Sequence, residues 1–201
     1  MNAYDIPTTV DINGREMKIR NDGDFRVVLD CFSALSDVEL TETERLYASL
    51  IIFYEDFNTL FDVGAFPYLK EAVAEMYNFF NCGEENIGAK APYKLVDWDK
   101  DSQLISSAIN NVAHKEVRAE KYLHWWTYMG YYTAIGECPL STIVGIRSKI
   151  MKHKKLEKHE REFRQENPQY FIWNSYTVEQ AEAQKEAENW LNEIWNKKEE
   201  E

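Results

Sequence analysis

An aromatic segment at residues 122–132 constrains the fold of this 201-residue chain more than any other feature. The segment reads YLHWWTYMGYY, and its large rings come from Tyr122, Trp125, Trp126, Tyr128, Tyr131 and Tyr132. At helical spacing the rings fall on two offset stripes, so a helix over 117–135, ended by Gly136, would be apolar around most of its circumference. Such a helix is either the centre of a bundle or has one face against another molecule.

A β-hairpin is predicted at residues 8–19, which read TTVDINGREMKI. Asn13-Gly14 favours a two-residue turn, because both turn positions need a positive φ. The turn sets three cross-strand pairs: Ile12 with Arg15, Val10 with Met17, and Thr8 with Ile19. This register puts the apolar side chains on one face. Because an isolated hairpin is marginally stable, that face must pack on the helices that follow.

The remaining sequence predicts about seven helices and no further strand. The fold class is therefore mainly α, a helical bundle with a short N-terminal β-hairpin. The predicted helices cover residues 24–35, 40–61, 67–83, 100–112, 117–135, 139–166 and the C-terminal stretch from 177. Their expected boundary signals are Asp22 or Asp24, Thr41 with Glu44, Gly83, Asp97 or Asp99, Pro139, Pro168, and Thr177 with Gln180.

The polar stretch 152–176 is the predicted internal boundary. We expect residues 1–165 to form one helical domain and residues 166–201 to form a C-terminal segment whose terminal helix can be detached. The apolar stripe of that helix includes Trp190, Leu191, Ile194 and Trp195. If the helix stands alone, this stripe is exposed and favours self-association into a homo-oligomer. The alternative is packing on its own bundle.

The net charge of −12 argues against a general nucleic-acid binder, because phosphate contacts need clustered Lys and Arg. One basic cluster, KHKKLEKHER at 152–161, is interleaved with Glu157 and Glu160. It is either a solvated helix face or a contact for nucleic acid or an anionic surface. We expect the former, and no nucleic-acid partner.

The three cysteines, Cys31, Cys82 and Cys138, are odd in number and far apart, which indicates a reducing compartment. The first twelve residues lack the basic start and apolar run of a signal peptide. The longest apolar stretch, LYASLIIFY, is too short to span a bilayer. The expectation is a soluble cytoplasmic protein without a membrane contact.

No metal site, cofactor or catalytic mechanism is predicted. The run Asp97, Asp99 and Asp101 begins like a calcium loop, but Ser102 and Ala108 stand where such a loop has Gly and Glu. Helix capping explains the run better. The four histidines have no zinc-site spacing, and no nucleophile motif or phosphate-binding loop occurs. We therefore expect a protein that is not an enzyme.

Five short motifs carry a resemblance to a known family: VDING, DFRVVL, FFNCG, LHWW and IVGIRSKI. In this order they resemble the gene-product-fifteen family of tailed bacteriophages. The family's Asp-Phe-Arg helix is matched by Asp24, Phe25 and Arg26, and its Gly-Ile-Arg helix by 145–147. The resemblance covers about residues 6–165, and the stretch after 165 departs from it.

The resemblance implies a tail-assembly chaperone. Members are typically encoded beside the tape-measure protein of long non-contractile tails, so this protein would bind the tape measure in the host bacterial cytoplasm. Six residues are predicted to bind that partner: Tyr122, Trp125, Trp126, Tyr128, Tyr131 and Tyr132. Of these, Tyr128 and Tyr131 with their neighbours are predicted to line a groove for its amphipathic helices. The alternatives are a structural tail component retained in the virion and a host-takeover protein that binds a bacterial target.

Overall fold

The computed structural model describes residues 5–57, 66–84 and 94–172. This part contains seven α-helices and one two-stranded antiparallel sheet, so the predicted fold class is confirmed. The elements are β1 (Thr9–Ile12), β2 (Arg15–Lys18), α1 (Phe25–Ser36), α2 (Glu42–Phe53), α3 (Phe66–Phe80), α4 (Ser102–Ala113), α5 (Trp125–Thr133), α6 (Pro139–Met151) and α7 (Lys158–Glu166). The chain divides into unit 1, residues 1–89 with 98–136, and unit 2, residues 90–97 with 137–201.

The hairpin has the predicted register. β1 and β2 pair Val10 with Met17 and Ile12 with Arg15 around a turn whose two central residues have positive φ. The apolar face is buried, and its members are Val10, Ile12, Met17 and Ile19. α3 contacts β1, so helices cover the hairpin as expected.

The second helix begins at its predicted capping box but ends earlier than expected. The sequence pattern predicts a helix over 40–61, whereas α2 ends at Phe53. Tyr54 has extended backbone, with φ −96° and ψ 136°, and forms an antiparallel bridge with Ile19. Backbone that pairs with the end of the hairpin cannot also continue the helical hydrogen bonds. Leu60, the last predicted member of the stripe, lies outside the described residues.

Arg20 fastens the end of the hairpin to the end of α2. Its Nε donates to the Ile52 carbonyl at 2.8 Å, and its Nη2 donates to the carbonyls of Ile51 and Tyr54 at 2.8 and 3.0 Å. The last carbonyls of a helix have no intrahelical donor, and a cation there also complements the helix dipole. A single side chain thus joins two elements more than thirty residues apart.

The third helix ends at Phe80, and the predicted stop signal Gly83 closes the turn that follows it. Gly83 N donates to the Asn78 carbonyl at 2.8 Å and Cys82 N donates to the Phe79 carbonyl at 3.0 Å, which is a Schellman motif. Both Cys82 and Gly83 have positive φ, 58° and 73°.

The fourth helix begins later than predicted. Its N-cap is Asp101, which is 2% exposed, and not Asp97 or Asp99. Ser102 N donates to the Asp99 carbonyl at 3.2 Å, so a turn precedes the helix. The Asp99 carboxylate instead accepts from the Ser33 hydroxyl at 3.2 Å.

The aromatic helix is shorter than predicted at both ends. α5 runs only from Trp125 to Thr133, and the expectation of a helix over 117–135 ended by Gly136 is wrong. His124 has extended backbone and forms an antiparallel bridge to the residue before α1. Tertiary pairing therefore holds the preceding residues out of the helix.

Aromatic rings form much of the core of unit 1. Seven of them contact one another with centroids 4.4 to 5.9 Å apart: Phe25, Phe32, Phe53, Phe80, Trp98, Trp125 and Tyr128. α5 packs against α1 and α4, and α1 packs against α2. Trp125 and Tyr128 are only 1% and 3% exposed, so for these two rings the central-helix interpretation is confirmed. Fully burying one such side chain contributes about 1.5–3 kcal/mol.

In unit 2 the predicted continuous helix over 139–166 is wrong. α6 ends at Met151, and His153 has φ 53°. Lys154 N donates to the Lys149 carbonyl at 2.8 Å, which closes a second Schellman motif. α7 then starts at Lys158 after a short link and ends before Pro168 as expected.

The predicted boundary between residues 1–165 and 166–201 stays a prediction. Residues 173–201 lie outside the described residues, and so does the predicted terminal helix with Trp190, Leu191, Ile194 and Trp195. Among the helices that the structure describes, none has both the length and the hydropathy needed to cross a membrane.

Arg20→Met should lower the free energy of unfolding by about 1–3 kcal/mol, because the carbonyls that end α2 lose a charged donor. Urea unfolding monitored by circular dichroism measures the change. Arg15→Met, on the exposed side of the same hairpin, is the matched control and should stay within about 0.5 kcal/mol of wild type. Equal losses in the two variants would contradict the assigned role of Arg20.

Candidate functional site

Asp24 is the centre of the contacts that join α1 to the start of α5. Asp24 is 5% exposed, and its carboxylate caps α1 by accepting a hydrogen bond from Arg26 N at 3.0 Å. The same carboxylate accepts from Leu123 N at 2.9 Å. Phe25 N returns a bond to the Leu123 carbonyl at 2.9 Å. These bonds satisfy a buried charge and align two segments that are distant in sequence.

Arg26 extends this junction toward the 3-10 turn at 117–119. One guanidinium nitrogen lies 3.0 and 3.1 Å from the two Asp24 oxygens. The other donates to the carbonyls of Arg118 and Glu120 at 3.1 and 2.7 Å. The Arg26 guanidinium carbon also lies 4.5 Å from the Phe25 ring centroid, a cation–π distance. Both ends of the guanidinium are therefore occupied by this chain.

His124 caps α5 from the other side of the junction. Its Nδ1 accepts from Trp126 N at 3.1 Å, so Nε2 carries the proton and donates to the Pro7 carbonyl at 3.0 Å. Burial lowers the pKa of this imidazole below its ordinary value, although Pro7 and Asp24 oppose the shift. The side chain is 2% exposed and acts as a neutral structural cap.

The residue before Asp24 must be glycine. Gly23 has φ 79°, and a Cβ there would lie 2.7 Å from the Phe79 ring and 2.9 Å from His124 Nε2. Both neighbours are buried rings held in place by packing. A larger residue would therefore displace the cap of α5.

Two tryptophans bind the end of α3. Trp125 Nε1 donates to the Phe80 carbonyl at 2.9 Å, and Trp126 Nε1 donates to the Phe79 carbonyl at 3.0 Å. These carbonyls belong to the last turn of α3, where no intrahelical donor is left. The two indoles therefore donate hydrogen bonds in addition to packing against apolar groups.

An open groove of about 690 Å³ lies in unit 1 beside this junction. Its lining includes Asp22, Arg26, Asp30, Lys121 and Tyr122. The Tyr122 ring is 47% exposed, and its hydroxyl donates to the Asp22 carbonyl at 3.0 Å, which fixes the ring at the groove wall. Burial, and secondarily Asp99, raises the pKa of Asp30. The groove therefore offers hydrogen bonds, charges of both signs and one aromatic face to a binding partner.

The structure separates the six predicted partner-binding residues by exposure. Trp125 and Tyr128 are buried, and burial raises the pKa of Tyr128 to about 12. Trp126, Tyr131 and Tyr132 are partly exposed, and Tyr132 packs on Trp98 with ring centroids 5.1 Å apart. Only Tyr122 lines the groove. Partner binding by this set stays a prediction.

In unit 2, Arg147 of the Gly-Ile-Arg motif is 6% exposed. Its Nε and Nη2 donate to the Tyr170 carbonyl at 3.0 and 2.8 Å, and its Nη1 donates to the Leu95 carbonyl at 3.0 Å. The arginine holds residues before and after α6 against that helix. Local sequence signals do not reveal this role, because in these three bonds the arginine donates to backbone carbonyls, which every residue type has.

Within the described residues, no group of three His, Cys, Asp or Glu side chains is arranged to hold a metal ion. The motif residues at positions 24–26 and 124–126 are occupied in internal contacts. The surface beside this junction that is open to another molecule is the groove.

Asp24→Asn should lower the free energy of unfolding by about 2–4 kcal/mol, because Arg26 loses its counter-charge inside the junction and the amide cannot accept at both of its ends. Chemical denaturation gives the value. Asp37→Asn is a suitable control, since exposed Asp37 accepts only a local bond from Glu39 N. A loss for Asp24→Asn no larger than the control's would refute the junction.

His124 should make the protein less stable in mild acid. Its pKa is lower in the folded state, so the unfolded chain takes up the proton first, and the free energy of unfolding falls as pH drops below about 6.5. We expect a slope of up to about 1.4 kcal/mol per pH unit between about pH 7.5 and 5.5. Urea unfolding across this range measures it.

Asn is the informative replacement at this position, because it can still cap α5 but does not titrate. His124→Asn should flatten the pH dependence, whereas His159→Gln on the exposed face of α7 should leave it unchanged. A wild-type slope that persists in His124→Asn would assign the effect to another group.

The chain was compared with protein families, curated proteins and solved structures. Neither the curated proteins nor the solved structures gave a match. A family described as Bacteriophage Gp15 protein matches residues 3–171, a range that includes motifs in both units. The motifs that carried the resemblance thus fall inside the matched range, as do the Asp24 junction and the Arg147 contacts. The chain belongs to the Bacteriophage Gp15 protein family and is a phage-related protein.

Proposed function

We propose that the protein is a tail-assembly factor that binds the tape-measure protein while the phage tail is built. The observation that carries the proposal is the family match over residues 3–171. The motif resemblance supplies the finer role, since it implies a gene position beside the tape measure. In this role the protein acts in the host cytoplasm, by binding and without catalysis.

The charge of the chain supports this role. A tape measure is a long amphipathic chain that must stay in solution until tube subunits assemble around it. A binding protein with net charge −12 gives the complex a repulsive exterior, which opposes aggregation. Exposed aromatic side chains of the protein then contact the apolar faces of the tape measure, so that these faces do not associate with one another.

The groove at Tyr122 is the surface that we assign to the partner. Tyr128 is fully enclosed by Phe25 and Trp125, with ring centroids at 4.4 and 5.8 Å, so reaching it would require opening the core. Tyr122 needs no such opening, because its ring already faces the groove at 47% exposure. An exposed tyrosine held by its own hydroxyl loses little side-chain entropy on binding, which is a property of interface hot spots.

Co-expression with the cognate tape-measure protein tests the proposal. We expect a tagged wild-type protein to keep the tape measure in the soluble fraction and to co-purify with it. Tyr122→Ser should reduce the co-purified amount about tenfold or more, which corresponds to a hot-spot loss of at least 1.4 kcal/mol. Tyr77→Ser is the matched control, since Tyr77 is 42% exposed on α3 and does not line the groove.

The outcomes separate the role from the surface. If wild-type protein captures no tape measure, the proposed role is wrong. If Tyr122→Ser and Tyr77→Ser behave alike, the role stands and the groove assignment fails. Mass spectrometry of purified particles distinguishes an assembly factor, absent from the mature tail, from a structural tail component.

A further inference from the structure

Four lysines form an exposed cluster at the link between α6 and α7. The lysine cluster consists of Lys152, Lys154, Lys155 and Lys158. The Lys158 side chain is 85% exposed, and the other three residues are also in the exposed class. The left-handed His153 turns the chain sharply at this point, so the cluster occupies a tight link and not one face of a long helix.

The acidic residues within this stretch do not neutralise the cluster. Glu160 accepts from Lys149 Nζ at 2.6 Å and from Glu157 N at 2.8 Å, and the hydrogen bond from Lys149 lowers the pKa of Glu160. Glu157 is the N-cap residue of α7, and it forms no ion pair with the cluster among the described residues. Within the part of the chain that the structure describes, Lys152, Lys154 and Lys155 form no ion pair, while Lys158 lies 3.8 Å from Glu162.

Charge is unevenly distributed along this acidic chain. Residues 137–172 contain eight Lys and Arg against five Asp and Glu, whereas residues 5–57 contain five Lys and Arg against twelve Asp and Glu. The N-terminal segment includes Asp30, an exposed carboxylate whose pKa is raised by burial and by Asp99. Burial is the main cause of this shift and the charge of Asp99 is the smaller one, and a cation beside Asp30 would favour its ionised form.

We propose that the lysine cluster docks on the acidic segment 5–57 of a second copy of this chain. The argument is charge complementarity: one molecule carries both three lysines that form no ion pair within the described residues and a segment in which acidic side chains outnumber basic ones by twelve to five. If each copy gives its cluster to the other, the interface is isologous, and a closed dimer gains two such contacts. The contacts are electrostatic and surface-exposed, so the dimer is weak and sensitive to salt.

A protein carboxylate fits the cluster better than a nucleic acid does. Residues 152–158 contain no arginine for bidentate phosphate contacts and no Phe, Tyr or Trp on which bases could stack. The net charge of −12 also repels an extended polyanion over roughly the 8 Å Debye length at physiological salt. In the proposed dimer, individual carboxylates of the second copy lie closer to the lysines than this Debye length.

Sedimentation velocity of the full-length protein tests the proposal. At about 50 mM NaCl we expect a monomer–dimer equilibrium, and at about 500 mM NaCl we expect monomer. Lys154→Glu/Lys155→Glu should raise the dimer dissociation constant about tenfold or more at low salt, because each copy loses two contacts and gains two repulsions. Circular dichroism verifies that the variant is folded, since both positions are exposed.

Lys100→Glu/Lys115→Glu is the matched control, because it changes the net charge by the same amount within unit 1. This control should keep most of the dimer. If both double variants dissociate equally, net charge and not the cluster governs association, and the proposal fails. A wild-type protein that stays monomeric at low salt also overturns it.

Carbodiimide cross-linking identifies what contacts the cluster. In a mixture of ¹⁴N- and ¹⁵N-labelled protein, we expect mixed-isotope links between Lys154 or Lys155 and carboxylates of residues 5–57. Links confined to one isotope would show that the same chain covers the cluster, which contradicts the proposal. A labelled DNA duplex is the second probe. If it binds and its binding requires Lys154 and Lys155, the partner of the cluster is nucleic acid and the proposal is wrong.

Discussion

The buried Asp24 carboxylate is the interaction on which unit 1 depends. It caps α1, pairs with Arg26 and accepts a hydrogen bond from Leu123 N, and the adjacent His124 then caps α5. A charge in this position is stable only while its donors stay in place, because burying it without them costs several kcal/mol. The contacts of the carboxylate therefore fix the position of α1 relative to α5. The aromatic core packs between helices that are held in this arrangement.

This dependence changes how the family motifs are interpreted. The Asp-Phe-Arg motif and the Leu-His-Trp-Trp motif are separate in sequence, yet they form one junction, and Phe25 stacks on Tyr128 at 4.4 Å beside it. The Gly-Ile-Arg motif has a corresponding structural task in unit 2 through Arg147. The motifs that identify the family thus stabilise the fold. The two surfaces proposed here for binding other molecules are the groove, whose lining includes Arg26, and the link after α6.

The sequence predicts local features well and distant pairings poorly. Asn13-Gly14 determined the hairpin register, the Thr41 capping box marked α2, and Gly83 closed the turn after α3. The errors occurred where the backbone pairs with a remote segment or turns without a glycine. Tyr54 and His124 leave the helical pattern to form isolated bridges with Ile19 and Asp24, and His153 adopts a left-handed conformation that its residue type does not reveal. For the candidate site, Tyr122 was among the predicted residues, but the groove depends on contacts about 100 residues apart that no local pattern encodes.

The bond from Leu123 to Asp24 joins residues 99 positions apart, and this has a consequence for synthesis in the cell. During translation α1 leaves the ribosome long before its partner segment exists, and closing so long a loop is slow. Until residue 124 emerges, the Asp24 carboxylate lacks its partner Leu123 N, and the rings of Phe25 and Phe53 are without the core that buries them. The order in which the polypeptide is made therefore delays completion of the first unit until more than half of the chain has been translated, and the nascent N-terminal half is the part most in need of protection from aggregation.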